Sequence, residues 1–114
     1  MPYAGVGRFR LYYEIEGDGQ TVVLLHAVGL DLTCWEAQVE ALAPRFRVLR
    51  VDLRGHGRSD VPPPPYTLEG FAEDVHGLLG ALQLAPAHVI GLSLGGMVAQ
   101  LLALDYPKAV RSLV

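Results

Sequence analysis

The 114 residues predict an α/β fold: a mostly parallel sheet with helices on both faces and an antiparallel hairpin at the amino end. Three observations carry that reading. Short β-branched and aliphatic runs alternate along the chain with stretches of helical period. Runs such as Thr21–Leu25 and His88–Leu92 are nearly continuous apolar segments, as strands covered on both faces are. The first run instead alternates in polarity, as a half-exposed antiparallel strand does.

Phe9, Leu11, Tyr13 and Ile15 interleave with Arg10, Tyr12, Glu14 and Glu16, the two-residue period of a half-buried strand. Gly17-Asp18-Gly19 supplies turn chemistry before Thr21–Leu25, which predicts a hairpin leading into a central strand. Asp31 or Thr33 can cap a helix that carries Trp35, Val39 and Leu42 on one face and stops at Pro44. Trp35 is assigned to core packing there. Phe46–Leu53 is the next strand. The loop RGHGRSDVPPPP is rich in turn formers, and Pro62–Pro65 is expected to be extended. Thr67 then caps a helix whose apolar stripe is Leu68, Phe71, Val75, Leu78, Leu79 and Leu82. Glu69, Glu73 and Asp74 fall in its first half, where the helix dipole favours anions. Gly77 and Gly80 inside it each cost about 1 kcal/mol relative to Ala, which points to close packing against a neighbour. His88–Leu92 forms a buried strand, Leu94–Tyr106 a helix, and Val110–Val114 opens a further strand.

A hydrophobic content of 51% argues for a packed core, and a formal charge of -3 with scattered basic residues argues against a nucleic-acid or membrane-surface binder. The single Cys34 suits a reducing compartment. MPYAGVGRFR lacks the layout of a signal peptide, and no apolar run nears the roughly 20 residues of a membrane span. A soluble, cytoplasmic protein is the expectation. No histidines lie at metal-ligand spacing, and neither a phosphate loop nor a dinucleotide fingerprint is present, so no metal or cofactor is expected. Residues 1–114 end inside what reads as a buried strand. A truncated sequence is the simplest expectation, with a bare strand edge open to association with another chain.

Gly91-Leu92-Ser93-Leu94-Gly95 places a serine between glycines where a strand passes into a helix. The G-x-S-x-G pattern in that context is the nucleophile elbow of serine hydrolases. A sharp bend forces Ser93 into a strained backbone, Gly91 and Gly95 remove side chains that would collide across it, and Gly96 can serve helix–strand contact. The start of the helix then faces the reacting atom, so that its first amides and dipole can stabilise an oxyanion. The alternative is that Ser93 serves as an ordinary helix cap.

Two further segments carry a family resemblance. His26-Ala27-Val28-Gly29 with Asp31-Leu32 and Trp35 is similar to the oxyanion-loop region of α/β-hydrolases, and Asp52-Leu53-Arg54-Gly55-His56-Gly57-Arg58-Ser59-Asp60 resembles the D-x-R-G-x-G-x-S-D loop of the same superfamily. The combination of VGLDLTCW, RGHGRSD, PPYTLEGFAEDV and GLSLGGMVAQ is most similar to its 3-oxoadipate enol-lactonase group of carboxylic ester hydrolases. The resemblance implies Ser93 as the acyl-accepting nucleophile and the N–H groups of Val28 and Leu94 as the oxyanion hole, with Ala27 standing where the family usually has glycine. It implies a small ester or lactone as substrate. A perhydrolase or haloperoxidase that needs no cofactor uses the same elbow, and a non-catalytic fragment that binds a partner through its open edge is a third reading.

The superfamily's order is serine, then an acid, then histidine. Here only Asp105 follows Ser93, roughly 18 Å away along a helix, and no histidine does. Of the four histidines, His26 and His56 are read as loop organisers, His76 as a residue on the solvated side of its helix, and His88 as lying at the far end of its strand. Asp52, Ser59 and Asp60 are read as braces of the Arg54–Asp60 loop. The triad acid and base are therefore expected outside these residues.

Overall fold

The computed structural model describes residues 2–114. One six-stranded sheet orders its strands β1-β2-β4-β3-β5-β6. β3 (Thr21–Leu25) is flanked by β4 (Arg47–Val51) and β5 (Ala87–Gly91), and β6 (Val110–Leu113) lies outside β5, all four parallel. β2 (Phe9–Glu16) runs antiparallel to β4, and β1 (Tyr3–Val6) antiparallel to β2.

The hairpin is therefore not the one the turn at Gly17–Gly19 suggests. β2 pairs with β1 across a bend at Gly7 (φ +64°), and the Gly17–Gly19 turn carries the chain past β4 to the sheet centre. The physical reason lies in β3, whose five residues are all buried. A strand apolar on both faces gains most between two others of the same kind, so the amphipathic β2 takes a place beyond β4. β1, with the sequence YAGV, has too weak a strand signal to announce itself. Tyr12, outward by parity, is nevertheless 5% exposed. The Arg58 guanidinium covers its ring, and its hydroxyl donates to Glu14 Oε2 at 2.7 Å.

Helices cover both faces. α2 (Leu68–Leu82) and α3 (Leu94–Asp105) bring Phe71, Val75, Leu78, Leu79, Val98 and Leu102 against Val23, Leu25, Leu49, Val51 and Val89. On the opposite face a 3₁₀ turn (Leu32–Trp35) and α1 (Glu36–Leu42) bring Trp35 and Val39 against Val22, Leu24 and Val48. Each large aliphatic side chain so covered contributes about 1.5–3 kcal/mol. Asp31 accepts the Thr33 N–H and Thr67 Oγ1 accepts the Gly70 N–H, both at 2.9 Å, so both predicted caps form. The Asp31 cap begins the 3₁₀ turn rather than the α-helix itself. Gly77 does meet a neighbour, since a Cβ there would lie 3.2 Å from Val6 Cγ1, but nothing lies within 4 Å of one at Gly80.

Asp74, grouped by sequence with Glu69 and Glu73 as an anion favoured by the helix dipole, has a partner that the grouping did not name. It is buried, and the Arg54 fork reaches it with two bonds of 2.7 Å. Its position explains this. Phe71, Asp74, Val75 and Leu78 fall on one helical stripe, so Asp74 enters the core and requires a cation.

This topology positions a site. The chain leaves β3 toward β4, then crosses back over β3 to β5, and α1 and α3 leave their strands on opposite faces. The carboxyl ends of β3 and β5 are thus the switch point, where open α/β sheets bind ligands.

Candidate active site

Ser93 stands at that switch point, between the end of β5 and the start of α3. Its backbone is at φ +53°, ψ -111°, and Gln83 is the one other non-glycine of the described residues with positive φ. Such a conformation costs about 1–3 kcal/mol and persists only where packing enforces it. Two glycines do the enforcing, by different contacts. A Cβ on Gly91 would run into the Gly95 carbonyl, within the bend. A Cβ on Gly95 would run into the carbonyls of Leu25 and His26, so glycine there lets the first turn of α3 sit on the end of β3. The expected clash across the bend thus accounts for Gly91, and the neighbouring strand accounts for Gly95. Gly96 meets the Gly91 carbonyl, where a Cβ would lie 3.4 Å away.

The Ser93 side chain is exposed and makes no capping hydrogen bond to α3, so the ordinary cap reading fails. Its carbonyl accepts the Met97 N–H, and Leu92 N–H donates to Leu25 O at 3.0 Å, which pins the bend to β3. After β3, the Leu30 N–H donates to Ala27 O at 3.1 Å and closes a four-residue turn with Gly29 at φ +76°. A type II turn requires that sign at its third residue. Val28, second in the turn, is exposed. Among the described residues, neither the Val28 nor the Leu94 amide donates to another protein group. Leu94 is also the first residue of α3, where the helix dipole is positive.

The surrounding polar residues brace these loops. His26 is fully buried; its Nε2 accepts the Leu53 N–H at 3.0 Å, which leaves Nδ1 as the donor to Ala27 O at 2.8 Å. Burial pushes its pKa below the ordinary histidine value. Asp52 accepts the Leu32 N–H at Oδ1 and the Arg58 N–H at Oδ2, at 2.8 and 2.9 Å. Ser59 Oγ donates to Asp52 O and accepts the Tyr12 N–H, and Asp60 accepts the Arg10 N–H. His56 bonds Arg54 O through Nδ1, and its ring lies 4.9 Å from that of His26. Burial pushes the Asp74 carboxyl up from its ordinary value, against the pull of Arg54.

The remaining candidates lie elsewhere. His76 stacks on Tyr106 at 3.9 Å, His88 bonds Ser112 and Gln20, and Asp105 is the last residue of α3. Ser93, Leu94, Gly91 and Gly95 thus share the bend between β5 and α3, which packs on the Leu25–His26 end of β3, and Val28 follows two residues after His26. Among the described residues no group of three or more His, Cys, Asp or Glu is poised to hold a metal, and no helix is long and apolar enough to cross a membrane. Sequence reading missed the Arg54–Asp74 pair, although an acid on the apolar stripe of α2 was a usable signal.

Comparison with known proteins identifies the family. The chain belongs to the alpha/beta hydrolase fold family, whose model matches residues 20–114. It is 41% identical over 113 residues to RutD of Azorhizobium caulinodans, a provisionally named carbamate hydrolase, covering 99% of this chain and 43% of that protein. Among solved structures, an enol-lactonase from Burkholderia xenovorans is 42% identical with a TM-score of 0.93, over 96% of this chain and 44% of that one. A thermophilic esterase from Thermogutta terrifontis is 42% identical with a TM-score of 0.88, over 94% of this chain and 40% of that one. The chain therefore spans less than half the length of these relatives.

Proposed function

We propose that this chain is part of a serine hydrolase that cleaves carboxylic esters or enol-lactones through an acyl-enzyme on Ser93. The observation that carries this reading is an exposed serine held at φ +53° with no capping bond, at the amino end of α3 and next to a Leu94 amide that has no protein acceptor among the described residues. Strain of that kind gathers where chemistry requires a side chain in one place. Ser93 Oγ attacks the carbonyl carbon, and the N–H groups of Val28 and Leu94 hold the oxygen as it gains negative charge. Each such donor contributes about 3 kcal/mol to the transition state. The bond to the alkoxide or enolate leaving group then breaks, and water cleaves the acyl-enzyme. No cofactor enters these steps.

A base must take the Ser93 proton. His26 has both ring nitrogens occupied, His88 is bonded at both of its own, His76 is stacked on Tyr106, and His56 is held in its loop by the bond from Nδ1 to Arg54 O. We assign the base and its orienting acid to the further length that the relatives have, and expect little turnover from the 114 residues alone. The unpaired Cys34 suits a cytoplasmic setting.

The test joins this chain to the part of the Burkholderia enol-lactonase that the match leaves uncovered. The joined protein is expected to hydrolyse p-nitrophenyl acetate, to carry a trapped acetyl group on Ser93, and to lose on the order of a millionfold in kcat on Ser93→Ala. Unchanged turnover in that variant, or acetyl on another side chain, refutes the nucleophile. Ser93-dependent turnover by the isolated chain refutes the need for an outside histidine.

A further inference from the structure

The Ala27–Leu32 segment carries the Val28 amide, and two side chains clamp it to the end of β4. At one end His26 donates from Nδ1 to Ala27 O and accepts the Leu53 N–H at Nε2; at the other, Asp52 Oδ1 accepts the Leu32 N–H. The Ala27–Leu30 turn, with Val28 in it, lies between the clamps. His26 is 0% exposed, so no water replaces a bond that it loses. An imidazole has one acceptor nitrogen only when neutral, and its protonated form has two donors and none. A second proton on His26 would therefore set Nε2–H against the Leu53 N–H and open the clamp. The Asp52 and Asp31 carboxylates act on this ring in favour of charge, and the His56 ring acts against it.

We propose that His26 is the positioning residue of the oxyanion site: while neutral it holds the Val28 amide in place through Ala27 and Leu53, and on taking a second proton it releases that amide. The proposal rests on the reading of Val28 as an oxyanion donor. It makes the acid limb of activity a property of the oxyanion loop, in addition to any titration of the catalytic base.

Nuclear magnetic resonance of the ¹⁵N-labelled chain, titrated downward from about pH 8 until the His26 ring takes its second proton, tests this directly. The His26 ring is expected as the Nδ1–H tautomer at the upper end. The Leu53 and Val28 amide shifts are expected to follow the His26 titration with one midpoint. Exchange of the buried Leu53 amide, corrected for its intrinsic rate, is expected to rise about tenfold or more across that midpoint. His26→Gln supplies an amide oxygen for Leu53 without a titrating ring and should hold Val28 across the whole range; His56→Gln should leave the step in place. An Nε2–H tautomer, Leu53 exchange that is flat through the His26 titration, a His26 ring that stays neutral until the fold is lost, or a step that survives His26→Gln overturns the proposal. Acetylation of Ser93 is read on the joined protein and does not enter these amide measurements, so the two readings fall separately.

Discussion

Replacing Ser93 with alanine and, separately, with glycine measures the strain held between β5 and α3. At φ +53°, ψ -111° any residue with a Cβ carries about 1–3 kcal/mol of strain. Alanine keeps that Cβ, so Ser93→Ala leaves the strain in place. Glycine adopts the conformation as readily as its mirror image, so Ser93→Gly removes the strain. It also loosens the unfolded chain, at about 0.4–1 kcal/mol. Subtracting leaves the glycine variant more stable than the alanine variant by about 1.3 kcal/mol at the middle of both ranges and by about 0–2.6 kcal/mol over their whole width. The side chain is exposed and makes no capping bond, so no lost contact enters the comparison. At an ordinary position the order is reversed, which makes the sign itself diagnostic. Urea unfolding followed by circular dichroism reads it as a shift in midpoint at constant slope, and a thermal scan as about 4–8 °C per kcal/mol. A glycine variant less stable than the alanine variant would refute strain at Ser93, and with it the argument that the bend is held for chemistry.

Two other outcomes check the surrounding structure. Gly95→Ala is expected to destabilise by about 3 kcal/mol or more, because its Cβ meets backbone that cannot rotate away, whereas Gly80→Ala, in open space on α2, should stabilise by about 0.5–1 kcal/mol. Similar effects at both positions in urea unfolding would show that the contact with β3 is wrong. Arg54→Met leaves Asp74 buried without its cation and should cost about 3 kcal/mol, most of it recovered when Asp74→Leu is added. Additive losses in the double variant would contradict the pairing.

The legible parts of this protein were those written in local pattern. The unbroken apolar runs marked β3 and β5 as interior strands, the helical stripe marked α2, and Thr67 marked its start. The bend at Ser93 was legible too, because a residue that must be glycine or strained leaves its trace within five positions. What escaped were matters of partnership. Nothing near Phe9–Glu16 says that its neighbours are Tyr3–Val6 and Arg47–Val51, and nothing near Asp74 names Arg54, twenty positions earlier.

Sequence alone therefore determined the kinds of element, their order and the one serine set among glycines, since each follows from the period and conformational range of adjacent residues. Tertiary structure decided which strand lies beside which, why Gly95 is glycine, and which nitrogen of His26 bears the proton. Those depend on the crossing of the chain from β4 over β3 to β5, which brings the carbonyls of Leu25 and His26 against α3 and the Leu53 amide against the ring. Burial then leaves those groups one another as partners in place of water.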